Sequence, residues 1–173
     1  MSYGITPYRV DMDQLQALFG SQDTALKQRL LRRFAARIAS LDELFDEDSG
    51  YPKTHAVIDD FFAGTVSDPG AGGQYWYVVN MLCDLCGTFL ANDHWYPAAC
   101  DELWELEHLR YFGLSGLPYV MDFPSVRSAR SAALPMLEAE VKEKFTDNGQ
   151  RRQVLSWIAD AQAHNQDLML FYY

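Results

Sequence analysis

DLMLFYY, residues 167–173, sets one aspartate ahead of six consecutive apolar or aromatic side chains. The run reads as a strand. A strand that is apolar along its whole length needs cover, because an open edge of this kind invites pairing with other chains. The simplest partner is SYGITPYRV, residues 2–10, where Tyr, Ile and Val surround a proline in the manner of a short edge strand. Their pairing brings the two ends of the sequence together. Most of what lies between is helical in pattern. The expected fold class is therefore α+β, mainly α-helical, with about six or seven helices and a small sheet pairing the N- and C-terminal strands. One globular domain over residues 1–173 is the expected organisation. A chain of this length buries roughly 70% of its unfolded surface and needs no staple.

Working back towards the N-terminus, residues 151–164 place Val154, Leu155, Ile158 and Ala161 on one helical face, after a turn at DNG, residues 147–149. Pro135 opens another helix, with Leu137, Val141 and Phe145 inward and the pairs Glu138–Lys142 and Glu140–Lys144 outward. Residues 113–124 are punctuated by Gly and Pro and form a long connection that holds a short strand at 119–121. Pro97 is placed to open a helix running to Phe112. Residues 75–90 are apolar nearly all round, apart from a narrow stripe of Tyr77, Asn80, Asp84, Gly87 and Thr88. Such a helix belongs in the middle of a fold. SDPGAGG, residues 67–73, reads as a mobile linker. A short helix capped by Thr54 buries Val57, Ile58, Phe61 and Phe62 and stops at Gly64. Residues 21–45 carry the strongest helical periodicity. Their charge flips from Lys27, Arg29, Arg32, Arg33 and Arg37 to Asp42, Glu43, Asp46, Glu47 and Asp48, against the helix dipole, so a break is expected near Ser40. A first short helix, DQLQALFG, is capped by Asp11 or Asp13 and ended by Gly20.

Against 14 Lys and Arg stand 24 Asp and Glu, a formal net charge of −10. Such a surface repels phosphate backbones and anionic lipid, so neither nucleic acid nor membrane is an expected partner. A basic protein partner would be steered towards it. The sequence shows no signal-peptide pattern and no span of about 20 apolar residues. Three clustered cysteines do not make a secreted disulfide framework. A cytoplasmic protein is expected.

NMLCDLCGTFLANDHWYPAAC, residues 80–100, holds all three cysteines and one histidine. Cys83, Cys86, His94 and Cys100 invite a zinc reading. The first pair sits mid-helix, whereas structural zinc sites draw their ligands from turns. Relative to the polar stripe Cys83 lies about 100° to one side and Cys86 about 160° away, which points Cys86 into the core. Buried cysteine packs as a small hydrophobe. No metal and no cofactor is expected. A redox pair needs its first thiol at a helix N-terminus, and Cys83 lies two turns inside. GAGG, residues 70–73, lacks the lysine and hydroxyl of a phosphate loop. His55 and Asp59, one turn apart, suggest a local hydrogen bond. The basic residues of 27–37 suggest salt-linked helices.

The opening residues 2–23, the central LCDLCGTFLANDHWYP, the DFPSV at 122–126 and the closing DLMLFYY together resemble a family of uncharacterised bacterial proteins catalogued as a domain of unknown function. The resemblance implies a bacterial, cytosolic, single-domain protein, and carries over no catalytic residue. The expected function is a non-enzymatic protein-interaction module, in its most concrete form an immunity- or antitoxin-like protein that masks a basic partner. Its candidate contact residues are Asp42, Glu43, Asp46, Glu47, Asp48, Trp95, Tyr96, Asp101, Glu102 and Glu105. The alternative is a small-molecule-binding protein or enzyme using the helical flank of Asp101, Glu105 and His108 near the aromatic loop 94–97.

Overall fold

The structure, a computed structural model, describes residues 4–45, 50–92, 101–120 and 124–173, with the backbone alone of Asp101. The expected strand pair forms. β1 (Ile5–Val10) runs antiparallel to β5 (Asp167–Tyr172), with Ile5 opposite Tyr172 and Val10 opposite Asp167. The sheet is larger than the sequence suggests. β2 (Thr88–Phe89), β3 (Arg110–Tyr111) and β4 (Ser125–Ala129) join it in the order β2-β1-β5-β4-β3, every neighbour antiparallel. β5 is thus the central strand, and β1 has a neighbour on each side. Central position explains the unbroken apolar run, because a strand covered on both faces has no solvent side to pattern. Met169 and Phe171 face one core with Tyr8, Val10 and Val126, while Leu168 and Leu170 face a second with Ile5 and Ala129.

Helices α1 (Met12–Leu18), α2 (Thr24–Arg33), α3 (Ala35–Leu44), α4 (Thr54–Ala63) and α5 (Gly72–Cys86) supply the first core. Helices α6 (Asp101–Trp104), α7 (Leu134–Lys144) and α8 (Asn148–Ala163) supply the second. The fold is therefore α+β and mainly helical. Among the described residues no helix is long and apolar enough to cross a membrane.

Several boundaries depart from the sequence expectation. The break in 21–45 lies at Phe34, not near Ser40. It leaves Arg32 and Arg33 in the last turn of α2, where cations suit the dipole. Leu30, Phe34 and Ile38 are all buried, so the two helices keep one apolar face across the break. Thr54 does not cap α4. It is the first helical residue, and its N–H donates to the Asp42 carboxylate at 2.7 Å. The GAGG stretch is not a linker: a single 3-10 turn, with Asp68 accepting from the Gly70 N–H, leads directly into α5. A Cβ on Gly72 would stand 3.0 Å from the Val120 side chain, so the bare backbone lets the 118–120 segment pass. DNG is the start of α8, capped by Asp147.

The expected helix from Pro97 to Phe112 ends at Trp104 in its described part, and β3 follows. No strand forms at Tyr119 or Val120; Met121 lies outside the described residues. Asp167 ties the sheet's end together: its carboxylate accepts from the Met12 N–H at 3.1 Å and the Ser131 N–H at 2.7 Å, with Arg130 at 3.3 Å.

Candidate functional site

The described acidic residues do not form one cluster. Asp42 is half-buried and committed to the start of α4. Glu43 is exposed beside Leu44, itself 59% exposed, and both belong to the layer over the first core. Glu102 accepts from the Thr146 hydroxyl at 3.0 Å, and Glu105 is exposed, with its carbonyl accepting from Lys144 at 3.3 Å. These two lie over the second core, across the sheet from Glu43. Asp46, Glu47, Asp48, Trp95 and Tyr96 lie outside the described residues, as do His94, Cys100 and the side chain of Asp101.

Because the helix stops at Trp104, Glu105 and His108 do not share a helical flank. His108 instead meets Glu140 of α7, its Nδ1 3.1 Å from one carboxylate oxygen and its N–H donating to the other at 3.2 Å. Burial pushes the Glu140 carboxyl up, but the two His108 contacts outweigh it and hold the group below its ordinary value. The expected Glu140–Lys144 pair is thereby replaced, whereas Lys142 and Glu138 do pair at 2.5 Å. Asp59 pairs with Lys27 at 3.1 Å, and His55 is exposed.

The thiols sit opposite to expectation. Cys83 is buried, its sulfur 3.5 Å from that of Met169 on β5, and Cys86 is exposed at the end of α5. The error is one of reference. Placing Cys86 in the core requires the polar stripe to face solvent, yet Asn80 within the stripe is fully buried, so the helix presents this stripe to the protein interior. Among the described residues no three His, Cys, Asp or Glu side chains are grouped to hold a metal ion.

That polar stripe forms the wall of the most chemically equipped part of the molecule. Asp84 reaches Arg33 at 3.8 Å. Asn80 faces the Tyr8 hydroxyl on β1, and neither its amide nitrogen nor its oxygen closes a hydrogen bond. Tyr77 stacks on Tyr173 with ring centroids 5.4 Å apart. The Tyr173 hydroxyl is buried against the Arg37 guanidinium without a hydrogen bond of good geometry. Burial pushes the phenols of Tyr8 and Tyr173 above their ordinary range, so both keep an O–H available to donate.

Beside them lies a cavity of about 540 Å³, lined by Arg37, Tyr77, Phe89, Asn92 and Tyr173 together with the start of β1. Asn92 is fixed there by its amide donating to the Ile5 carbonyl at 2.8 Å. A run of ring contacts flanks it: Tyr51 on Phe45, Phe45 on Tyr77, Tyr77 on Tyr173, Tyr173 on Phe171, Phe171 on Tyr8 and Tyr8 on Phe89. The sequence presented Arg37 as one of five surface cations and did not single it out. The available signal was its spacing: Arg33 and Arg37 lie one turn apart, facing a polar stripe on α5 that itself has a four-residue step.

No curated protein and no solved structure matches the chain. A family described as a domain of unknown function does match, over residues 1–173, and the chain belongs to that family, DUF7691.

Proposed function

We propose that the protein is a non-enzymatic interaction module, immunity- or antitoxin-like in action, that covers a basic protein partner with an acidic, partly apolar surface. The observation that supports this reading best is the corner where α3 ends. Exposed Glu43 and Leu44 stand there beside Tyr51, which is 38% exposed and packed on Phe45. An apolar anchor with acidic neighbours matches the anatomy of protein interfaces, where a few buried large side chains supply affinity and rim charges supply rate. The net charge of −10 adds long-range steering.

The test is affinity capture from the native host at low and physiological salt, with the wild type beside a Glu43→Lys, Leu44→Asp double variant. A basic protein retained by the wild type, weakened by salt and lost by about tenfold or more in the variant supports the proposal. A partner captured equally by both, or none at physiological salt, overturns it.

A further inference from the structure

We propose that the cavity between α3, α5 and the β1–β5 pair binds a small aromatic carboxylate, with Arg37 holding the carboxylate and Tyr77 and Phe89 flanking the ring. Its volume of about 540 Å³ suits a small organic ligand. Among the described residues Arg37 has no carboxylate within ion-pair distance, although Lys27, Arg33 and Arg9 each have one. A half-buried guanidinium held in this way retains a two-pronged donor that fits a carboxylate. The Tyr173 hydroxyl, buried and unpartnered beside it, adds a third donor. A buried polar group left without a partner is costly, and an anion on Arg37 would give the Tyr173 hydroxyl an acceptor.

A single guanidinium in a chain of net charge −10 suits one negative charge better than the nearly two of a phosphate ester. A flat ligand is matched by Phe89, which lines the cavity and at 52% exposed has ring surface to offer, beside the rim of the Tyr77–Tyr173 stack. Aromatic rings meet other rings favourably, either stacked or edge to face. This site adjoins the partner surface proposed above through the Phe45–Tyr77 contact but shares no lining residue with it, since none of Glu43, Leu44, Phe45 and Tyr51 lines the cavity.

The test is titration of the full chain with benzoate and with 4-hydroxybenzoate, followed by calorimetry and by tyrosine ring NMR signals. Benzyl alcohol serves as the uncharged control and acetate as the ringless one. Saturable binding of at least one aromatic acid with Kd below about 1 mM, at least about tenfold tighter than either control, is expected. Arg37→Gln should weaken it about tenfold or more, and Phe89→Ala, at an exposed position, by several-fold with the fold intact. No saturable binding of either acid to the wild type overturns the proposal. So does benzyl alcohol binding as well as benzoate, or an unchanged affinity in folded Phe89→Ala protein. Should Arg37→Gln not fold, Arg37→Lys replaces it, and an unchanged affinity there overturns the two-pronged contact.

Discussion

At the scale of single residues, Asp60 shows how one carboxylate can organise a turn. It sits near the end of α4 and accepts from the Tyr75 hydroxyl at 2.7 Å, the Ser67 N–H at 3.0 Å, the Ser67 hydroxyl at 2.9 Å and the Thr65 hydroxyl at 3.4 Å. Those four bonds draw the 64–71 segment back across α4 and fix where α5 begins. Asp60→Ala should lower unfolding free energy by about 1–3 kcal/mol in urea denaturation at pH 7. Burial raises the Asp60 carboxyl, but the hydrogen bonds from Tyr75, Ser67 and Thr65 outweigh it and leave it more acidic than its ordinary 3.8. A carboxyl whose folded value is depressed contributes stability that is whole above the unfolded value and drains as pH falls towards the folded one. The wild type should therefore lose this contribution below about pH 4, and Asp60→Ala should show a shallower acid loss there. Equal acid slopes in the two proteins would contradict the assignment. Nothing in the sequence singled out Asp60, because its partners lie five, seven and fifteen positions on, in a stretch that composition alone marks as linker. Side-chain capping of a loop leaves no periodic trace.

At the scale of elements, a close approach of backbone to backbone joins the end of α1 to the end of α4. Gly20 and Gly64 both adopt φ of +76°, and a Cβ built on Gly64 would lie 2.9 Å from the Gly20 Cα. The Gly20 N–H donates to the Phe61 carbonyl and the Gln22 N–H to the Phe62 carbonyl, each at 2.9 Å. Gly64→Ala combines a left-handed backbone with a collision and should cost about 1–3 kcal/mol or more. Gly50, at φ +78° with nothing within 4 Å of its added Cβ, meets only the first of these, so Gly50→Ala should cost less. Comparing the two midpoints in thermal unfolding separates backbone strain from packing.

Both glycine stops were legible, since a glycine after an apolar periodic run has one common meaning. The α2–α3 junction was half legible: the charge reversal announced a break, and the periodicity could not locate it because it continues through Phe34. β3 and β4 were not legible at all. Two residues carry no period, and SVRSA sets one valine among two serines, an arginine and an alanine, a mixture that reads equally well as loop. The stripe on α5 was found but turned the wrong way, because a polar residue on an apolar helix signals either water or a buried polar partner, and sequence does not distinguish them.

At the scale of the whole molecule, β5 serves two cores at once. Leu170 is fully buried on the side of α7 and α8, and Phe171 on the side of α1 to α5. Damage on either face should therefore be felt throughout. Leu170→Ala should cost about 2–5 kcal/mol and Phe171→Ala about 3–5 kcal/mol. Each variant should unfold in one transition, with the same midpoint by far-ultraviolet circular dichroism and by tryptophan fluorescence, which samples Trp157 in one core and Trp76 in the other. Separate midpoints for the two probes would mean that the layers unfold independently.

Synthesis on the ribosome runs from β1 towards β5, and that direction conflicts with the strand order. β1 and β4 are both made before β5, the one strand that lies between them and pairs with each. Until residues 167–172 clear the exit tunnel, each half carries an unpaired edge and a core lacking its central wall. Exposed apolar surface of this kind favours non-native association, and strand order predicts that the sheet is completed only once β5 is inserted.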